Sequence, residues 1–340
     1  MDAEQLGSRI RQERERAGLS QIQLASRAEL DRTVMSKIES GVRKVAALEL
    51  MRIAEAVGVR MVRLLEEPIP AIVSHRSSQG LDTAESKVDA LLDEFAHDVE
   101  FVSRLAPNAL APSVDIDQEF ASPQSAEAAE TLAVTTRGLL GLDEYEPALR
   151  LQEIVSKVGL WSLSIDFGPD TADAGSLLLE WGGVAIVNSH NKVGRRRLAL
   201  AHELGHFLVQ DEYSVDWRIS DSNSGIEARL DRFARALLLP AAGLTPFWTR
   251  SLSELGLRDA AVVTASRFQV DMSTLARRLN DLRLEGDGGV IRSTQTVGAD
   301  IIEHGLIVSH DLEGTSLPQQ YQKAVIGLYR AQQISVERTI

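Results

Sequence analysis

The stretch Arg197-Leu-Ala-Leu-Ala-His-Glu-Leu-Gly-His206 decides how the larger part of this 340-residue chain is read. Its apolar residues, continued by Phe207 and Leu208, recur at helical spacing. On a helix, positions i and i+4 share a face, so His202 and His206 can direct two imidazoles at one metal ion. Glu203 follows in the same turn, within reach of a water at that ion, and can act as general base. Ala199 and Gly205 leave room for a neighbouring element to come close. The plain alternative is two core histidines that happen to be four apart, since the chain holds seven. A catalytic zinc takes three protein ligands and keeps one position open. Glu227 and Asp231, one turn apart on the next predicted helix, offer a carboxylate ligand and a carboxylate that can orient a histidine ring. Ser224 with Glu227 also fits a capping box, which would make Glu227 a cap and Asp231 a solvated charge.

Outward from this stretch the pattern is mixed. A helix over about 195–210 precedes one over about 224–239, stopped by Pro240. Trp161, Leu163, Ile165 and Phe167 alternate with Ser162, Ser164 and Asp166, the pattern of a half-buried strand. Leu177 to Trp181, Gly182-Gly183 and Val184 to Val187 read as strand, turn and strand. Helical spacing also covers about 125–140, 146–158 and 272–284, so residues 125–285 form one domain. Residues 286–340 are an extension that begins Gly-rich and ends in a helix from near Pro318. Arg195 to Arg197 read as a basic patch or, the better fit, as side chains that snorkel at a helix start.

The first 65 residues are different in kind. Leu6 and Ile10 mark a first helix broken at Gly18, and Ser20 with Gln23 opens a second through a capping box. Asp31 can cap a third, with Val34 and Ile38 facing inward and Gly41 as its stop. Leu48, Met51, Ile53, Ala54 and Val57 make a fourth stripe, and a fifth short helix runs from Arg60 to Leu65. Between the domains, residues 66–124 form an acidic helical linker. There Val88, Leu92, Phe95, Val99 and Val102 make a short heptad-like seam, suited to packing on the body or to a dimer contact.

Composition narrows the function. Hydrophobic residues make up 44% and charged residues 25%, which excludes wholesale disorder. The net charge is −13, yet residues 1–65 hold 12 basic against 9 acidic side chains, while residues 66–124 hold 3 against 12. Polyanion contact therefore belongs to the head. The absence of cysteine excludes disulfides and thiolate chemistry. No apolar run nears the roughly 20 residues that span a bilayer, and Met1 to Gly18 lacks the apolar stretch of a secretory signal, so a cytoplasmic chain with no membrane partner is expected.

Two blocks resemble known families. The stretch from Arg197 to His206, followed by Glu227-Ala-Arg-Leu-Asp231-Arg-Phe-Ala-Arg-Ala-Leu-Leu-Leu-Pro240, resembles the ImmA/IrrE metallopeptidases. That resemblance implies Zn2+ held by His202, His206 and Glu227, with Glu203 as the base and Asp231 behind the ligands. Leu230 stands where the family usually has Ala. Leu19-Ser-Gln-Ile-Gln-Leu-Ala25 and Val34-Met-Ser-Lys-Ile-Glu39-Ser-Gly41 resemble the Xre-type helix-turn-helix domains of phage repressors. Carried over by position, Arg32, Thr33, Ser36 and Lys37 would face the DNA major groove, and Gln21, Arg43 and Lys44 the phosphates. Glu29 stands where that family's turn often has Gly.

The expectation is an α+β, mostly helical chain, with an N-terminal all-α helix-turn-helix domain and a zincin-like metallopeptidase domain holding a small sheet. Its partners would be double-stranded DNA, a second copy in a homodimer, and a protein substrate that is itself a regulator, such as a repressor or antitoxin. The other function class is a transcription factor whose peptidase-like domain is a non-catalytic sensor or dimerisation module.

Overall fold

The computed structural model describes residues 2–59, 61–65, 84–114, 120–169, 171–179, 181–210, 213–216 and 225–335. Its contacts divide into two compact units, Met1–Ser86 and Lys87–Ile340.

The first unit holds five helices: α1 (Ala3–Arg16), α2 (Gln21–Arg27), α3 (Arg32–Glu39), α4 (Ala47–Val57) and α5 (Met61–Leu65). The Ser20–Gln23 capping box forms as the sequence predicts. Asp31 takes the N-cap position of α3, but its side chain makes no capping bond. Ile10, Leu24, Met35, Ile38, Ile53 and Leu64 fill the core. The predicted stripe of α4 is corrected by one face: Leu50, Ile53 and Ala54 turn inward, whereas Leu48 and Met51 are 69% and 44% exposed. Glu29 sits in the left-handed region at φ 55°. That region costs a non-glycine residue roughly 1 kcal/mol.

Beneath α1 and α3 lies an ion cluster that hydrophobic patterning does not reveal. Arg14 Nε and Nη2 donate to the buried Glu39 carboxylate at 2.6 and 3.1 Å, and Gln21 Nε2 donates to it at 2.8 Å. Removing one partner of such a pair leaves an uncompensated charge in a dry site. Glu39→Ala is expected to destabilise this unit by about 3 kcal/mol. Hydrogen exchange of the α1–α3 amides reads that loss, and unchanged protection would contradict it.

The second unit begins within α6 (Ala84–Leu105) and continues through α7 (Ala126–Leu139) and α8 (Leu151–Ser156). Strands β1 (Leu160–Ile165), β2 (Ala174–Leu179), β3 (Gly182–Asn188) and β4 (Tyr213–Asp216) form one sheet in the order β1-β3-β2-β4. Helix α9 (Val193–Leu208) follows β3, and α10 (Gly225–Leu238) follows β4. The chain then runs through α11 (Ala241–Leu255), α12 (Leu257–Phe268), α13 (Met272–Asp281), α14 (Gly288–Ser293), α15 (Gly298–Glu303) and α16 (Gln319–Arg330). Strand β1 pairs parallel with β3, and β2 antiparallel with both β3 and β4. One apolar core joins α7, α9, α10 and α11 to the sheet.

The seam of α6 takes the first of the two readings its sequence left open, and the expectation for β1 changes. The seam of α6 is buried within the single chain, with Phe95 edge-on to Tyr321 of α16, so it is no free surface for a second copy. In β1 the serines are buried and Leu163 and Ile165 are only half-buried, because the chain after α15 covers β1. Ser164 and Ser316 exchange two backbone bonds at 2.9 and 3.0 Å, and Ser164 Oγ donates to Leu312 O at 2.6 Å. Helices α11 and α12 occupy a stretch punctuated by Pro240, Gly243, Pro246 and Gly256. Gly243 is there for a close approach, since a Cβ on it would lie 2.0 Å from Tyr145 O.

Candidate metal centre and DNA-binding face

Helices α9 and α10 pack face to face at Gly205. A Cβ on that residue would lie 3.0 Å from Phe233 and 3.2 Å from Leu230, so only Gly allows this spacing without a shift. Leu230 is fully buried against it. The approach brings three donor atoms together. His202 Nε2 lies 3.0 Å from His206 Nε2 and 3.2 Å from Glu227 Oε2, and His206 Nε2 lies 3.4 Å from the same oxygen. Tetrahedral zinc with bonds of about 2.0–2.1 Å would space its ligands about 3.3 Å apart. The triangle has that size. His202 Nδ1 lies 3.1 Å from Asp231 Oδ1. With its proton on Nδ1, on the side of the Asp231 carboxylate, His202 leaves the Nε2 lone pair for a metal, a tautomer assigned from its neighbours. The two Nε2 atoms, buried and 3.0 Å apart, can share a proton or a metal ion between them.

A proton on either Nε2, the competitor of a metal for that lone pair, is donated to Glu227 and holds its carboxyl well below the usual carboxylate range. Glu203 is fully buried on the turn between the two histidines. Glu227 therefore faces the histidines, while Ser224, its partner in the alternative capping box, lies outside the described residues. A second trio, Asp259, Asp300 and His304, also brings ligand atoms together. There Arg258 sits on both carboxylates at 2.7–2.9 Å and supplies the positive charge itself.

Buried arginines fix the two helices. Arg137 Nη1 and Arg278 Nε donate to Leu237 O and Leu239 O at 2.6 and 2.9 Å, capping the end of α10. Arg197 is fully buried on α9, not snorkelling as its run of three arginines suggests. It donates to Ala148 O, Gln269 O and Asp311. Burial pushes the Arg197 guanidinium below its ordinary range, and Asp311 opposes that. Sequence patterning misses these residues because a buried arginine looks like a surface one until its partners are placed. Trp161 is core, and the exposed His190 pairs with Asp166 at 3.4 Å. Both His75 and Trp217 lie outside the described residues.

On the first unit Arg32, Thr33, Ser36, Lys37 and Lys44 are exposed, the first four on α3. Gln21 and Arg43 are not free in the same way. Gln21 is tied to Glu39, and Arg43 makes two bonds to Glu49 at 3.0 and 2.9 Å, holding that carboxyl below its usual range.

Residues 10–64 match the helix-turn-helix family, and residues 158–280 match the IrrE N-terminal-like domain of the Peptidase_M78 family. The chain joins a helix-turn-helix domain to an ImmA/IrrE-family domain. It is a DNA-binding transcription regulator with a metallopeptidase-family domain. Among solved structures, the restriction-modification controller protein C.AhdI from Aeromonas hydrophila is 32% identical, over 18% of this chain and 94% of that one, with a TM-score of 0.18. ComR from Streptococcus suis is 15% identical, over 100% of this chain and 93% of that one, also with a TM-score of 0.18. At such scores neither supports an argument from overall shape. No curated protein matches the chain. The IrrE-like match contains His202, Glu203, His206, Glu227 and Asp231 but ends before Asp311. No helix among the described residues is long and apolar enough to cross a membrane.

Lys37→Ala is expected to weaken DNA binding most for the preferred sequence, and, because a cation is lost at the groove, to lower the slope of log affinity against log salt. Arg43→Ala should change the slope less, because Glu49 already neutralises that side chain. Salt titrations by fluorescence anisotropy read both, and an unchanged slope for Lys37→Ala would contradict the assignment of this face.

Proposed function

We propose that this regulator is a zinc-dependent peptidase that cuts another regulatory protein, of repressor or antitoxin type, and so couples proteolysis to transcription in stress or mobile-element control. The observation that carries the reading is the triangle of His202, His206 and Glu227, sized for zinc and closed on one side by Asp231. Zinc bound there would supply a Lewis acid for a peptide carbonyl and for the attacking water. The chain's own residues do the rest. Asp231 orients the His202 ring, and Glu203 takes a proton from the water and gives it to the leaving amine. Burial of Glu203 keeps bulk water from competing for that proton.

At DNA, Arg32, Thr33, Ser36 and Lys37 on α3 would meet base edges, and Gln21, Arg43 and Lys44 the phosphates. A cytoplasmic homodimer reading two half-sites about 10 base pairs apart is the binding form we propose. The exposed apolar Leu48, Met51, Met61 and Leu65 on α4 and α5 support a contact between copies, now that the α6 seam is buried.

Wild type and Glu203→Gln, each loaded with zinc, are to be incubated with regulators encoded beside the gene and followed by mass spectrometry. Loss of the general base costs roughly 10²–10⁴-fold in rate. A fragment formed by wild type and absent with Glu203→Gln is the expected result. If no such fragment forms, and cells carrying either version show the same transcriptional response, the domain is a sensor or dimerisation module.

A further inference from the structure

The extension beyond the family-matched region is clamped to the helix that carries the two histidines. Leu312 and Ser316 lie against the outer edge of β1. There Ser316 and Ser164 bond both ways, Leu312 O accepts from Ser164 Oγ, and Gln152 Nε2 donates to Ser162 O and Ser316 O at 3.0 Å each. Leu312 enters the core with its backbone in the left-handed region, φ 59°. Next to it, Asp311 Oδ2 accepts from the buried Arg197 of α9 and from Leu151 N at the start of α8, at 2.9 Å for the latter. Arg197 lies five residues before His202 on one continuous helix. Its other two acceptors are the neutral carbonyls Ala148 O and Gln269 O. Asp311 is the one carboxylate that those contacts set against it.

We propose that Asp311 is a positioning residue of the metal centre. Through Arg197 it sets where α9 stands against α10, and thus whether the His202 and His206 nitrogens meet Glu227 at ligand spacing. The inference rests on the zinc reading above. A site of this kind tolerates only about 0.5 Å of drift before its donors leave productive geometry. With a neutral residue at 311, Arg197 keeps its burial without its counter-charge and must find a new partner. That shifts α9 in its N-terminal part, five residues before His202. The IrrE-like match at 158–280 therefore does not contain everything its own metal site needs.

Zinc affinity of the full chain, measured by chelator competition at a temperature where the zinc-free protein is folded by near-UV spectroscopy, tests this. A merely structural Asp311 would lower the unfolding temperature and leave that affinity unchanged. Asp311→Asn is expected to bind zinc about tenfold more weakly than wild type, no more than the loss of a ligand's own hydrogen-bond partner costs. Ser164→Ala, which removes only the bond that holds Leu312, should weaken binding about two- to threefold. Glu313→Ala, which alters an exposed carboxylate of the same segment, should bind as wild type. Wild-type affinity in folded Asp311→Asn overturns the proposal. Should that variant fail to fold, Ser164→Ala decides in the same way. If wild type itself holds no more zinc than His206→Ala, it is the zinc reading that has failed and not the role of Asp311.

Discussion

Two imidazole nitrogens facing each other at 3.0 Å in a buried site set the constraint around which the second unit is built. If both rings carry their protons on Nδ1, the two Nε2 lone pairs repel, and a dry interior gives no water to separate them. The arrangement is stable when a positive charge sits between them or when a neighbour holds the rings. Here Glu227 closes the triangle and Asp231 holds one ring from behind. Everything that keeps α9 against α10 serves that geometry. Gly205 removes the side chain that would hold them apart, and Leu230 and Phe233 fill the space it leaves.

The same helices are anchored at their far ends by charge. Arg137 and Arg278 take the last carbonyls of α10, where the helix dipole favours cations. Glu130 answers Arg278 and Arg232. Although burial raises its pKa, those two arginines bring it below the ordinary range. Arg197 does comparable work on α9 through the extension. The first unit uses the same device at small scale, where Glu39 gathers Arg14 and Gln21 under the helix pair that would meet DNA. Such buried charges commonly add less to stability than apolar side chains of the same size, but they hold one register of one helix against another.

What can be read from residues alone follows from this. The i, i+4 histidines and the one-turn spacing of Glu227 and Asp231 are local, so their helices and faces are legible. So are the Ser20–Gln23 cap and the left-handed place of Glu29. The α4 stripe is not, because Leu48 and Met51 are apolar yet outward, and spacing alone does not say which of two overlapping faces is covered. The β1 alternation misleads for a non-local reason, since residues 312–316 cover serines that a lone strand would expose.

The account turns on whether a metal occupies the His202, His206 and Glu227 triangle. The most direct measurement is zinc content of the purified full chain together with X-ray absorption at the zinc edge. The account predicts about one zinc per chain, with two imidazole nitrogens and one carboxylate oxygen at about 2.0–2.2 Å, lost in His206→Ala. Equal zinc content in wild type and His206→Ala, or a shell without imidazole, would contradict it.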